Sequence, residues 1–533
     1  MRIVILFAKA GGGHESSAKA LKTQMLEQNP SLTVELIDIL ANSPRWKQEL
    51  FCQSYIFFTD KIPLVWSGLQ ILWKIDLIAR LTALPLQFQI KNHLQEILNS
   101  RPDKIICTYF LVDNWLNELQ NSQQNTLEIN KIKNKSSQNS QNTQPNETQI
   151  DNSSQIQNKI EKKIPIWTIV TDIFSPHSVW FVGKNCNYLV FSNRAKLAAQ
   201  NRGVSPDKIV EFGVFFGERF EKVGTKLEIK EWKNQFLINQ NLENQMQNTL
   251  QSNNQNSNLP KNLEEKITKE NPQNLEKKVD SEQGLEIQNQ EDNSQNNFSQ
   301  NFLDISKNLT NKMQLPTLLV VGGGESMPGG TPILENLLNL EIQFNLIFVC
   351  GRNENLRQKC QKIVSNWQKN NSNQIINIEN QIQKPIEIPI EKHSNSSVNS
   401  TNFINSQNQK NPGKKSKFHK NIQILGFTSH LYELINISDL VVCKAGPATI
   451  LEVISQQKTF LISHLIWEQE IGNKDFAVSK GVAIYEKKPW KLAQKVQELF
   501  TNPQKLNNLT KNYQNFQIQN DLRSITKFLI DTK

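Results

Sequence analysis

No two cysteines in this chain are spaced as a metal or redox motif. The six (Cys52, Cys107, Cys186, Cys350, Cys360 and Cys443) are scattered, without a CxxC pair, and read as reduced thiols of a cytosolic compartment. Apolar residues are also scarce, at 37% of 533 residues. Much of the polar excess is Asn and Gln packed into three tracts, and what remains is enough for two α/β domains of ordinary size. Long hydrophobic runs are missing. The best one, Leu64 to Leu86, is interrupted by Lys74, Asp76 and Arg80, which makes it a poor transmembrane span. The opening MRIVILFAKAGGGH lacks the charged-then-apolar pattern of a signal peptide. No Arg-rich block with interleaved aromatics occurs, so nucleic acid is the weakest candidate partner. The net charge of +10 favours an anionic partner all the same, membrane lipid or nucleotide. No Asp-x-Asp occurs in the C-terminal half, so no metal is assigned.

What the chain does have is one pattern three times over: an apolar strand, a glycine turn, then a helix. The first runs from the strand Arg2 to Ala8 through Gly11, Gly12, Gly13 and His14 into a helix from Ser16 to Gln28. A P-loop would need Gly-Lys-Ser/Thr where Gly13-His14-Glu15 stands. A dinucleotide fingerprint would need glycine at Ser16, although Asp38 ends the second strand as it would in an NAD-binding fold. The second follows the strand Leu315 to Val321 with Gly322, Gly323 and Gly324, then Glu325, Ser326 and Met327. These glycines let the backbone approach a bound group closely.

The third is the stretch around which the chain is organised, Gly446 to Asn473. Gly446 and Pro447 break the apolar strand Asp439 to Cys443, and Thr449 to Gln457 has helical apolar spacing. That geometry aims backbone N–H groups at a phosphate. Glu452 lies on the first turn or so of the helix, within reach of ribose hydroxyls. The strand Thr459 to Ser463 then leads into Glu468, Gln469, Glu470 and Asn473, hydrogen-bonding groups suited to sugar hydroxyls. An ordinary α/β crossover with a polar loop has the same spacing.

This stretch resembles the donor-binding signature of the GT-B glycosyltransferases that include the peptidoglycan lipid-intermediate enzyme and the diacylglycerol glycosyltransferases. EQEIGN looks most like the monogalactosyldiacylglycerol synthase branch, and GGGHESSA resembles the N-terminal signature of the same diacylglycerol enzymes. The resemblance implies an α/β fold of GT-B type, two Rossmann-like domains facing across a cleft, with disordered Asn/Gln-rich insertions. It implies that Gly323, Gly324 and Glu325 face the donor diphosphate and that Phe427 lies beside the base. Gly446, Pro447, Ala448 and Thr449 would meet the nucleotide diphosphate, Glu452 the ribose, and Gln469, Glu470 and Asn473 the donor sugar. No cofactor is implied beyond a UDP-sugar as donor substrate.

His14 is placed by the resemblance at the cleft as general base, flanked by Gly12 and Gly13. An imidazole of pKa ~6.5 suits proton removal from an attacking alcohol; a lone histidine at a helix start is more often a cap or a structural contact, and the flanking glycines and the second half-site favour catalysis here. Asp172 and His177 follow the strand Ile164 to Val170, where open α/β sheets put their sites. The expectation is that one of them orients His14 while Trp180 touches lipid, the alternative being that Asp172 caps the next helix. Between residues 46 and 88, aromatic and apolar residues recur at helical intervals with interspersed Lys and Arg. Trp66 and Trp73 there read as headgroup-level anchors of interfacial helices, against a core helix pair.

The expected domains are residues 1–220 for acceptor and membrane, with a disordered insertion at 117–161, and 315–501 for the UDP-sugar, with another at 370–416. A low-complexity linker at 239–311 joins them, and 502–533 is a C-terminal helix returning to the first domain. The function expected is transfer of galactose or glucose from UDP-galactose or UDP-glucose to diacylglycerol, on the inner face of a membrane carrying anionic lipids. Alternatives are a peptidoglycan-type UDP-GlcNAc transferase, a UDP-sugar epimerase of the same fold, and a binding protein without turnover.

Overall fold

A computed structural model describes residues 1–9, 13–41, 62–138, 163–235, 315–324, 327, 329–382, 420–466 and 469–532. Two parallel sheets organise it. The first holds β1 (Arg2–Phe7), β2 (Thr33–Asp38), β3 (Lys104–Cys107), β4 (Ile166–Ile169), β5 (Asn187–Val190) and β6 (Ile209–Glu211), in the order β2-β1-β3-β4-β5-β6. The second holds β7 (Thr317–Val321), β8 (Asn345–Val349), β9 (Asn421–Leu425), β10 (Leu440–Lys444), β11 (Phe460–His464) and β12 (Ala483–Tyr485), in the order β12-β11-β10-β7-β8-β9. Every pairing is parallel. Such sheets are covered on both faces, so their central strands read as near-continuous apolar runs rather than alternating. TLLVV of β7 and NLIFV of β8 are buried at every position.

Strand order decides where a ligand can sit. In the first sheet the order reverses between β1 and β3, and in the second between β7 and β10. The crevice outside the carboxyl ends of strands at such a reversal is the standard ligand position of open α/β sheets. All three glycine turns of the sequence fall at these two points. The two sheets with their covering helices, facing across a cleft, form a GT-B architecture.

The last helix, Leu522–Asp531, returns to the first half as expected. It packs on the helix Gly13–Gln28, where Gln28 Nε2 donates to Thr526 Oγ1 at 2.7 Å. The buried Lys104 ammonium donates to the carbonyls of Leu529 and Thr532, satisfying the end of that helix.

Two expected insertions begin later than composition implies. The helix Val112–Gln138 runs well into the Asn/Gln tract, because its polar side chains there have partners. The Gln120 amide exchanges hydrogen bonds with the backbone of Ile164 at 2.8 and 3.3 Å. Asn117 Nδ2 donates to Cys186 Sγ at 2.9 Å. The helix Glu354–Ile382 likewise covers the start of the tract at 370–416. The remainder of both tracts, and residues 239–311, lie outside the described residues.

Of the aromatic stretch, residues 42–61 lie outside the described residues. The rest forms two helices, Pro63–Leu72 and Asp76–Asn99. Their outer side carries exposed Val65, Ile71, Leu72, Leu77, Leu81 and Phe88, with Leu77 64% and Phe88 73% accessible. Trp73 is half-buried against the first core, so among the described side chains the exposed apolar row is aliphatic and phenyl. The Trp66 side chain lies outside the described residues. Among the described residues no helix is long and apolar enough to cross a membrane.

Candidate functional site

The first half of the site is built at the end of β1. The described helix begins at Gly13, Gly12 and Gly11 lying outside the described residues, and its second residue is His14. Thr108, which follows β3, donates its hydroxyl to the carbonyl of His14 at 3.2 Å and so ties the helix start to the neighbouring strand. Thr171, which follows β4, lies 2.9 Å from His14 Nδ1 through its Oγ1. The imidazole packs edge-on to Tyr109 at 5.1 Å and beside Trp180 at 6.0 Å. Nε2 has no hydrogen-bond partner among the described residues. Burial disfavours the imidazolium and lowers the His14 pKa to about 4, so the ring is neutral at pH 7.

The expectation that Asp172 or His177 orients this ring is corrected. Thr171 does so, because it is the residue whose side chain leaves β4 toward the helix start. Asp172 Oδ2 instead accepts from Trp180 Nε1 at 2.7 Å. Burial pushes its carboxyl up to about 7, the Trp180 bond opposing this, while Glu470 raises it further and Lys444 lowers it. His177 accepts from the Val179 N–H at 3.2 Å, capping its own short helix, and its ring meets the edge of Trp73 at 6.4 Å. Trp180 is 1% exposed, so it has no face to offer lipid. Its indole serves as Asp172's donor instead.

The second half is built at the ends of β7 and β10. Gly323 has φ +82°, a conformation that costs glycine little and other residues much. A Cβ there would meet Lys444 Cε at 3.6 Å, so the turn after β7 and the last residue of β10 lie side by side. Gly324 follows it, and Glu325 lies outside the described residues. Lys444 Nζ pairs with Glu470 Oε1 at 2.8 Å, and Glu470 Oε2 accepts the Ile466 N–H at 2.8 Å. Glu470 is therefore engaged on both oxygens, holding the loop after β11 against β10. Asn473 does the same from the next helix, donating Nδ2 to the Ala445 carbonyl at 2.8 Å, while its buried Oδ1 has no partner among the described residues.

Gly446 precedes the helix Pro447–Ser455, which opens with Pro447, Ala448 and Thr449 and has no side-chain cap. Proline at the first position forgoes an N–H that the helix does not use. The N–H groups behind it are orphaned and favour an anion. Glu452, one turn on, has no carboxylate partner among the described residues, and burial raises its pKa to about 8. Phe427, after β9, is 62% exposed, with the Arg352 guanidinium 4.8 Å above its ring.

Two of the contacts between the halves lie beside these residues. Ser175 Oγ donates to the Gln469 carbonyl at 3.1 Å and accepts the Gly472 N–H at 2.9 Å, beside the stacked rings of Phe174 and Phe476 at 4.0 Å. Arg352 reaches Glu15 Oε2 at 3.2 Å. Sequence reasoning missed Thr108, Ser175, Arg352 and Lys444, and gave Thr171 no role toward His14. Lys444 alone gave a signal, a cation closing an otherwise apolar strand. Among the described residues no group of three metal-ligating side chains converges.

Two β-sheet switch points, one with a neutral imidazole and one with a helix start that lacks a side-chain cap and lies beside a lysine, make up the candidate site. Residues 390–525 match the model described as the glycosyltransferase family 28 C-terminal domain. The chain is 22% identical over 208 residues to a probable chloroplastic monogalactosyldiacylglycerol synthase 2 of Oryza sativa subsp. indica, covering 37% of this chain and 32% of that protein. It is 24% identical over 204 residues to the chloroplastic monogalactosyldiacylglycerol synthase of Spinacia oleracea, covering 37% and 29%. The matched part is thus about a third of the length of these relatives. Among solved structures, MurG of Acinetobacter baumannii aligns with TM-score 0.42 and 10% identity, over 100% of this chain and 99% of that one. Anabaena Alr3699/HepE, solved in complex with UDP-glucose, aligns with TM-score 0.39 and 9% identity over 99% and 94%.

Proposed function

We propose that this chain transfers a hexose, galactose or glucose, from a UDP-sugar to diacylglycerol. The observation that carries the reading is His14: neutral, held through Nδ1 by Thr171, with Nε2 unengaged, on the opposite wall of the cleft from the uncapped helix start. In the tautomer that donates Nδ1–H to Thr171 Oγ1, Nε2 is the basic nitrogen. The acceptor hydroxyl oxygen attacks the anomeric carbon and its proton passes to Nε2. The bond from that carbon to the diphosphate oxygen breaks, and its electron pair leaves with UDP. The N–H groups of Ala448 and Thr449 and the Lys444 ammonium stabilise the negative charge that develops there. The matched family domain and the names of the curated relatives support the donor and acceptor assignments.

In this reading Glu452 holds the ribose, Gln469, Glu470 and Asn473 the sugar, and the residue at 427 the base. The exposed aliphatic row from Val65 to Phe88 seats the first half on the inner face of an anionic membrane from the cytoplasmic side, delivering the lipid hydroxyl to His14. The test is a radiolabel transfer assay with diacylglycerol in anionic vesicles and UDP-galactose or UDP-glucose. A labelled glycolipid is expected from the wild type, and a kcat about 10²–10⁴-fold lower from His14→Ala. UDP binding with no lipid product from either donor would overturn the acceptor assignment and favour the peptidoglycan-type or epimerase alternative.

A further inference from the structure

Glu15 follows His14 directly and is only 7% exposed. It stands between two cations, Lys19 on its own helix at 2.7 Å and Arg352 from the other half at 3.2 Å. Burial alone would raise its carboxyl, but Lys19 and then Arg352 outweigh that and hold it below the usual range. Arg352 is itself fixed from two sides. Its backbone N–H donates to the Gly324 carbonyl at 2.8 Å, tying it to the glycine turn after β7. Its guanidinium lies over Phe427 at 4.8 Å. One residue therefore touches the glycine turn through its backbone, and the aromatic platform after β9 and the helix that carries His14 through its guanidinium.

We propose that Arg352 is a positioning residue that couples occupation of the nucleotide site to the placement of His14, through Glu15. A uridine diphosphate seated against the turn at Gly324 and beside Phe427 restricts the guanidinium, which holds Glu15 and with it the first turn of the Gly13–Gln28 helix. The Ser175–Gly472 contact between the halves lacks this connection, since it involves neither the turn nor the platform. The inference rests on the donor assignment above, and its test separates the two.

Backbone hydrogen exchange is followed with and without UDP in the wild type, Arg352→Met and Glu15→Gln. In the wild type UDP slows exchange around Gly322–Gly324 and, through the coupling, in residues 14–19 by at least about fivefold, the lower end of ordinary coupling factors. Both variants are expected to keep the protection at the glycine turn and lose it in the helix. Equal helix protection in the variants and the wild type would overturn the coupling. Protection at neither place in the wild type would overturn the donor assignment on which it stands. The two variants remove the pair from opposite halves, so either one that folds decides the question.

Discussion

The depressed pKa of His14 makes the acid limb of the pH profile diagnostic. An exposed histidine of pKa about 6.5 is only about 9% neutral at pH 5.5, whereas one held at about 4 is about 97% neutral. Between pH 7 and 5.5 the first would lose about eightfold in rate and the second almost nothing. Asp172, held at about 7 beside Trp180 and facing Glu470 and Lys444, titrates in the same interval. Glu452, at about 8, titrates mostly above it. The measurement is therefore kcat for sugar transfer at saturating UDP-sugar in an Asp172→Asn background, from pH 7.5 to 4.5. A flat profile to about pH 5 is expected. An eightfold fall by pH 5.5 in that background would show His14 titrating normally and refute the argument from burial.

The same shift has a stability counterpart. The depression corresponds to roughly 3 kcal/mol at most. The unfolded chain protonates first, so this contribution is complete above pH 6.5 and is lost as pH falls toward 4.

Glu452→Gln should keep UDP affinity within about threefold, because a carboxyl held near 8 is already protonated at pH 7. Glu452→Ala should weaken binding about tenfold, near 1.4 kcal/mol; calorimetry that finds Gln as damaging as Ala would require an ionised carboxylate. A Cβ at Gly472 would meet the Phe174 carbonyl oxygen and Ser175 Cβ, both at 2.6 Å. Gly472→Ala should therefore cost about 1–3 kcal/mol in urea unfolding, and unchanged stability would mean that the meeting place at Ser175 yields freely. Leu77→Asp with Phe88→Asp should reduce recovery with anionic vesicles in flotation, both side chains being exposed. Equal recovery would remove the apolar row from the membrane contact.

Much of the architecture was legible in local pattern. Apolar runs ending in glycine mark where a buried parallel strand must stop and turn, and all three such runs became strand ends at the sheet reversals. The last helix was legible from its amphipathic spacing, and its place against the first half from the resemblance alone. Composition misled at the edges of the Asn/Gln tracts, because whether Gln120 stays solvated depends on Ile164 being within reach. That is a contact across 44 residues.

The functional side chains divide the same way. Local spacing alone put His14 on a glycine turn and Gly446 before a helix, since a turn and its helix are set by neighbours in the chain. Which residue orients His14 was settled by packing. Thr171 and Asp172 are adjacent in sequence, but successive side chains leave a strand end in different directions. Only the placement of β4 next to β3, one strand away from β1, brings the threonine, and not the aspartate, to the imidazole. Trp180 is likewise buried rather than lipid-facing because Asp172 requires a donor where the indole lies. Lys444 beside Gly323, and Arg352 between Phe427 and Glu15, join segments distant in sequence. Sequence carries the chemistry of each turn, and only the tertiary structure brings those turns together, because hydrogen bonds and ion pairs act over a few ångströms of space whatever the separation along the chain.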